Sequence, residues 1–485
     1  MDTEGGRGFD PDQLSRSVIA PPLQRRLAVD PAPKVVIDLN VAYEGGLLSA
    51  RARIAELVRQ AAESLGTDAA EPQPLGPTSQ YVAARLPAEV VRAVARLDRE
   101  AAGGRPERRA VHRIWPDFKV RALMNRSVAT VKADAAHRAF AADGSGIVWA
   151  VLDSGIDGRH PHFRMHRTVE LDPPLAHKDF VTGKDELALE DPCGHGTHVA
   201  GIIAGELAGT TRKPLVAVRR ERDENGDPAF IRTPVSRMVG MAPKATLVSY
   251  RILDEHGDGD TSTVIAALNQ VQQVNGYGRE LVIHGVNLSV GYPFDPEWFA
   301  CGQSPLCVEV DRLVRSGVVV VAAAGNTGYG FTQAASGEAN AGGLGITVND
   351  PGNAQLAITV GSTHRDMPHR YGVSYFSSKG PTGDGRAKPD LVAPGERVLS
   401  CAAGAVAAEA EASLGPVHYV EDSGTSMAAP HVSGCVAAFL SIRREFLGQP
   451  EEVKALFLRA ATDLGRVPDF QGRGLVDLMR AIQLV

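Results

Sequence analysis

An aspartate, a histidine and a serine mark three short segments of this chain. They are Val151-Leu152-Asp153-Ser154-Gly155, His195-Gly196-Thr197-His198-Val199-Ala200-Gly201 and Gly424-Thr425-Ser426-Met427-Ala428-Ala429-Pro430. A serine hydroxyl is a poor nucleophile at neutral pH. It becomes a good one when an imidazole takes its proton and a carboxylate holds that imidazole in one tautomer. A fourth segment, Ala322-Ala323-Ala324-Gly325-Asn326, ends an apolar run on an amide. With the Ser426 backbone N–H, that amide would complete an oxyanion hole for a tetrahedral intermediate. Each segment alone has a plainer reading. Asp-Ser-Gly is usually a strand-to-turn cap, Gly-Thr-Ser a helix cap and Gly-Asn a turn. Their weight comes from company, because each stands at the terminus of an expected element.

The elements that must position these residues can be read from periodicity. Apolar runs at Ile147 to Leu152, Leu247 to Tyr250, Leu281 to Val290 and Val318 to Ala324 predict buried parallel strands, and Asp153 closes the first of them. Helical patterns at Thr261 to Val274, Val308 to Ser316, Met427 to Phe446 and Glu451 to Leu464 alternate with the strands. The fold class is therefore α/β, a doubly wound and mostly parallel sheet whose carboxyl edge is where ligands bind. His195 opens a small-residue helix and is assigned as base, with His198 a packed structural partner. Zinc-binding helices space their histidines by four around a glutamate, which is absent here. Ser426 begins a helix with Pro430 read as lying in its first turn, so the helix amino end faces the chemistry. The charged stretch Arg212 to Arg237 reads as an inserted hairpin.

Ahead of this domain, Val35 to Val41, Tyr81 to Leu86 and Val111 to Val120 read as strands, separated by helices at Ile54 to Leu65 and Pro87 to Arg99. The expected organisation is an extended arm over 1–33, a small α+β domain over 34–123, a connector over 124–130 and the main domain over 131–485. The chain has 485 residues, 44% hydrophobic and 22% charged, an ordinary globular composition. Its 51 Lys and Arg against 57 Asp and Glu give a net charge of -6, which argues against a nucleic-acid partner. The start is acidic and polar, and no apolar run reads as long enough to cross a bilayer, so the expectation is a cytoplasmic chain with no membrane partner. Five cysteines are too few for a disulfide scaffold. Reduced thiols are expected, including Cys301 and Cys307 at the two sides of one loop.

Residues from about Val131 to Leu484 resemble the subtilisin-like serine proteases, the subtilases. The resemblance rests on Asp153, His195 and Ser426 in that chain order and on Asn326. It implies an endopeptidase acting on protein or peptide substrates through an acyl-enzyme, with those three residues catalytic and Asn326 in the oxyanion hole. It further implies that Gly257, Asp258 and Gly259, together with Ser289, Val290 and Gly291, hold the substrate as an added strand, and that Ala322, Ala323, Ala324 and Gly325 line a side-chain pocket. The N-terminal domain resembles the family's ferredoxin-like propeptide. It would act as an intramolecular inhibitor whose tail, Val120-Arg121-Ala122-Leu123, enters the cleft and is cut between Leu123 and Met124. No cofactor is required. The family's structural calcium is doubtful here, because the 212–237 insertion and His160 and His162 stand where relatives carry their calcium loop and a ligating aspartate. Two rivals use the same residues: a peptide ligase, in which an amine captures the acyl group, and a regulatory protein whose cleft stays blocked. With an unperturbed histidine as base, activity is expected to fall as pH drops through about 6.5.

Overall fold

The computed structural model describes residues 18–74, 80–103, 105, 108–116, 126–210, 213–222, 228–295, 300–333 and 339–485. The chain divides into two compact units, Met1–Ala122 and Leu123–Val485.

In the first unit, strands Lys34–Leu39, Tyr81–Arg85 and Val111–Pro116 and the short strand Gln73–Pro74 form one antiparallel sheet with Lys34–Leu39 inside it. Helices Gly46–Leu65 and Ala88–Ala101 accompany the sheet. Their apolar faces, Ile54, Leu57, Val58 and Ala61 on one and Val90, Val91 and Val94 on the other, are buried with Val35 and Ile37 of the sheet. Residues 18–33 are not the extended arm that their proline content suggested. Pro21–Arg26 is a helix, and Leu23 and Leu27, four residues apart, both enter the core of this unit. The strand read as Val111 to Val120 is seen as far as Pro116, and its remainder lies outside the described residues. Within the expected connector, Arg126–Thr130 is helical.

The second unit is built on a seven-stranded parallel sheet. In spatial order its strands are Leu391–Glu396, Ile358–His364, Val319–Ala323, Gly285–Leu288, Val148–Asp153, Thr246–Arg251 and Lys178–Asp179. Alternation along the strands sends Trp149, Val151, Val319 and Val321 to one face and Ala150, Leu152, Val320 and Ala322 to the other. Helices His195–Ile203, Thr425–Ile442 and Pro450–Ala460 cover the first face, and Thr261–Val274 and Pro305–Arg315 the second. From Val148–Asp153 the chain passes to the far edge strand Lys178–Asp179, returns to Thr246–Arg251 between them and then crosses to Gly285–Leu288 on the other side of Val148–Asp153. Asp153 ends one, and Ser289 follows the other, of the two neighbouring strands at which the winding reverses, the crevice position of open α/β sheets.

Besides the two-residue Lys178–Asp179, two strands of this sheet carry no legible sequence signal. Ile358–His364 is interrupted by Gly361, Ser362 and Thr363, and Leu391–Glu396 contains Pro394 and Gly395. The second is tolerated because it is the sheet's edge, where a missing donor breaks no ladder. The 212–237 insertion is a hairpin, Leu215–Arg222 on Pro228–Val235, added to a separate sheet through Tyr419–Asp422. Contrary to the sequence reading, one helix among the described residues, Thr425–Ile442, is long and apolar enough to span a bilayer. It is apolar all round because it is the buried central helix, with 83% of that span inside the fold.

Candidate active site

Asp153 ends a central strand and is fully buried, and its Oδ1 accepts from the Ser154 backbone N–H (2.8 Å) and from His195 Nδ1 (2.7 Å). His195 is the first residue of its helix. The helix can start this close to the strand end because residue 196 is glycine. A Cβ there would lie 2.2 Å from the Gly155 carbonyl oxygen and 3.1 Å from the Asp153 Cβ. Burial by itself would push the imidazole down. The Asp153 charge and hydrogen bond, joined by the charges of Asp422 and Asp191, outweigh it and raise His195 to about 9. His198 is buried, and its Nε2 lies 3.1 Å from the Val420 carbonyl oxygen, the packed role expected of it.

Ser426 is the second residue of helix Thr425–Ile442. Pro430 is its sixth residue, in the second turn rather than the first. Its missing N–H deprives the Ser426 carbonyl of its helical partner, and Ser289 Oγ donates to that carbonyl instead (2.8 Å). The Ser426 hydroxyl in turn donates to the Ser289 carbonyl (3.0 Å). This reciprocal pair seats the serine against the strand beside Asp153, and no Ser426–His195 hydrogen bond is present among the described residues.

Asn326 caps the same helix. Its Oδ1 accepts from the Thr425 backbone N–H (2.9 Å) and from Thr425 Oγ1 (3.1 Å). Since a backbone N–H can only donate, the amide is oriented with its NH2 as the remaining donor. That Nδ2 and the Ser426 N–H flank one point above Gly424, where a Cβ would stand 3.4 Å from the first and 3.7 Å from the second. Gly325 reaches this geometry with φ +107, and a Cβ there would come within 2.6 Å of Asn349 Cγ.

His195, Ser426 and Asn326 line one cleft of about 560 Å³. Gly257, Asp258, Gly259, Ser289, Val290, Gly291, Ala323 and Gly325 line it as well. Ala322 and Ala324 do not, which corrects their expected place. Both are fully buried, and strand alternation sends Ala322 into the opposite apolar layer. Sequence reading missed Leu253, His256, Thr261, Val264, Thr327 and Asn349 in the lining, which also takes in Tyr292 and Leu306 of the 292–307 loop. None sits in a motif, and only their neighbours in the chain could have pointed to them. Trp298 and Phe299 lie outside the described residues, as do Leu123 and Met124 with the segment from Val120. All five cysteines are free. Cys193 lines the cleft beside His195, and burial raises its thiol pKa.

The residues at the doubted calcium position do not fit a hard cation, which takes oxygen ligands. His160 Nε2 bonds the His418 carbonyl (2.9 Å), His162 Nδ1 bonds the Tyr419 hydroxyl (3.0 Å), and burial pushes both imidazoles down.

Comparison with known proteins places these features in a family. Residues 144–474 match the model of the subtilase family of peptidases. Serine protease AprX of Bacillus subtilis is 26% identical over 77% of this chain and 74% of its own length. An intracellular serine protease of Paenibacillus polymyxa is 30% identical over 70% of this chain and 82% of its own. A cold-adapted subtilisin-like serine proteinase of known crystal structure aligns at 25% identity over 69% of this chain and 88% of its own, with a TM-score of 0.45. With its family model matched across most of the chain, this protein belongs to the subtilases, a family of serine proteases.

Proposed function

We propose that the chain is a serine endopeptidase in which Ser426 is the nucleophile, His195 the general base and acid, Asp153 the group that orients and charges His195, and Asn326 the side-chain half of the oxyanion hole. The observation that carries this reading is the 2.7 Å contact of His195 Nδ1 with the buried Asp153, on an imidazole that shares its cleft with Ser426. Nδ1–H donating to Asp153 leaves Nε2 as the proton acceptor. For attack, the Ser426 hydroxyl leaves the Ser289 carbonyl and gives its proton to Nε2 as its oxygen bonds the peptide carbonyl carbon. The developing oxyanion receives the Asn326 NH2 and the Ser426 N–H, at a helix amino end that favours negative charge. His195 then protonates the leaving amine, and water repeats the sequence to release the acid.

Gly257 to Gly259 and Ser289 to Gly291 are assigned as the two edges that hold an extended peptide, with protein or peptide substrates as the partners. The N-terminal unit is assigned as an intramolecular inhibitor released by cleavage between Leu123 and Met124. A cytoplasmic setting is supported by the free cysteines and by relatives named as intracellular serine proteases.

A fluorophosphonate probe tests the active site directly. The protein, after limited proteolysis if needed, should be labelled on Ser426, and the Ser426→Ala variant should not. An unlabelled wild-type protein overturns the reading and favours a blocked regulatory protein. N-terminal sequencing of the two proteins tests processing: a new amino terminus at Met124 in wild type alone is expected, and identical termini refute self-cleavage.

A further inference from the structure

Around Asp153 and His195 the hydrogen bonds lead to a second carboxylate that the mechanism above does not use. Asp191 lies four residues before His195 and is only 5% exposed. Its Oδ1 accepts from Ser154 Oγ (2.8 Å) and the Gly194 backbone N–H (2.7 Å). Its Oδ2 accepts from the Thr197 backbone N–H (2.7 Å) and Thr197 Oγ1 (2.6 Å). Thr197 belongs to the first turn of the His195 helix, where backbone donors lack partners within the helix. Ser154 follows Asp153 and donates its own N–H to Asp153 Oδ1, while its hydroxyl accepts from the Gly196 N–H (2.9 Å). One carboxylate therefore ties the turn after Asp153 to the turn that begins with His195.

We propose that Asp191 is a positioning residue for the Asp153–His195 pair, setting their separation and facing by clamping Ser154 and the first turn of the His195 helix to one buried carboxylate. The role requires an acceptor on both oxygens. Either orientation of an asparagine amide would set an NH2 against a backbone N–H, that of Gly194 or that of Thr197. Burial raises the Asp191 pKa, while its four hydrogen bonds work the other way by favouring the charged form. The groups that act on the imidazole are Asp153 at its strand end, Asp422 at the end of Tyr419–Asp422, Asp191, and His198 on its own helix, with the Cys193 thiol nearby. Of these, the three carboxylates favour the protonated ring.

The proposal rests on the protease reading for its kinetic arm only. In the full chain, Asp191→Asn should lower kcat on a peptide substrate by about tenfold to a hundredfold, the cost of a small misplacement, with KM within about twofold. The acid limb of its pH profile should move to lower pH, because one of the three carboxylates is gone. The His195 imidazole titration, followed by NMR in the inactive Ser426→Ala background, should move the same way. Ser154→Ala cuts the tether and keeps the charge, so it should lower kcat and leave the titration where it was. A folded Asp191→Asn protein with parental kcat, or with an unmoved imidazole titration, overturns the proposal. If Asp191→Asn does not fold, Ser154→Ala decides alone, and unchanged kcat overturns it. Should the wild type neither hydrolyse peptides nor take the probe, the protease reading falls, while an imidazole titration unmoved by Asp191→Asn would still overturn the proposal.

Discussion

The two sides of the cleft are held by different kinds of force. On the His195 side the holding groups are charged and largely shielded from water: Asp153 and Asp191 are buried, and Asp422 adds a third negative charge toward the imidazole. On the Ser426 side they are neutral. Asn326 binds the start of the helix through its amide oxygen, and Ser289 and Ser426 exchange hydroxyl-to-carbonyl bonds. The first side should therefore respond to pH and to removal of charge, and the second to shape and hydrogen-bond geometry alone.

Asp153→Asn breaks the charged side and should have the largest effect. The amide no longer holds the imidazole in the tautomer with Nε2 free, and kcat should drop by about 10⁴-fold, a magnitude carried over from serine proteases at large. The imidazole pKa should fall at the same time, because its largest raising influence is lost. Steady-state kinetics and an NMR titration check the two parts separately. Asn326→Ala breaks the neutral side. It should lower kcat by about 10²- to 10³-fold, again the size carried over for an oxyanion donor, with little change in KM. Its acid limb should coincide with that of the wild type. Because Asn326 also caps the helix, a stability loss of about 1 kcal/mol should accompany it in thermal unfolding.

A pH profile sharpens the comparison without any mutation. In the proposed mechanism His195 must be neutral to accept the serine proton, and its neighbours favour the protonated form up to about 9. The kcat/KM profile should therefore rise with pH toward that value and fall about tenfold per unit below the limb. The sequence alone placed the limb near 6.5, since nothing in it reveals how many carboxylates converge on the ring. A measured limb at 6.5 or lower would show that these carboxylates do not set the base.

What was legible and what was not follows the same division. The strand ends, helix starts and cleft edges that carry Asp153, His195, Ser426 and Asn326 were readable, because each combines a sharp change in periodicity with a chemically distinctive residue. Asp191 was not. In Asp191-Pro192-Cys193-Gly194-His195 an acid shortly before a helix looks like an ordinary cap, and only the fold brings Ser154 to its other side. The edge strand Leu391–Glu396 was hidden by Pro394 and Gly395, whose usual meaning holds for strands paired on both sides. The helix Pro21–Arg26 was hidden by its prolines, although Leu23 and Leu27 carried the spacing of a buried face.

The smallest expected effect tests whether the neutral side is held as described. Pro430 denies the Ser426 carbonyl its helical donor, and Ser289 Oγ supplies the substitute. Ser289→Ala should then remove that carbonyl's side-chain donor and destabilise the protein by about 0.5–1.5 kcal/mol, the net worth of a hydrogen bond at this part-buried position. Its acid limb should stay parental, since no charge near His195 changes. Pro430→Ala restores a backbone N–H at the position from which a regular helix would serve the same carbonyl. The loss from Ser289→Ala should consequently be smaller in the Pro430→Ala background than in the wild type, a coupling that a double-mutant cycle of thermal unfolding measures. Strictly additive losses would mean that the two residues do not compete for one carbonyl. Ser426 would then owe its place to the packing of the helix rather than to this exchange of donors.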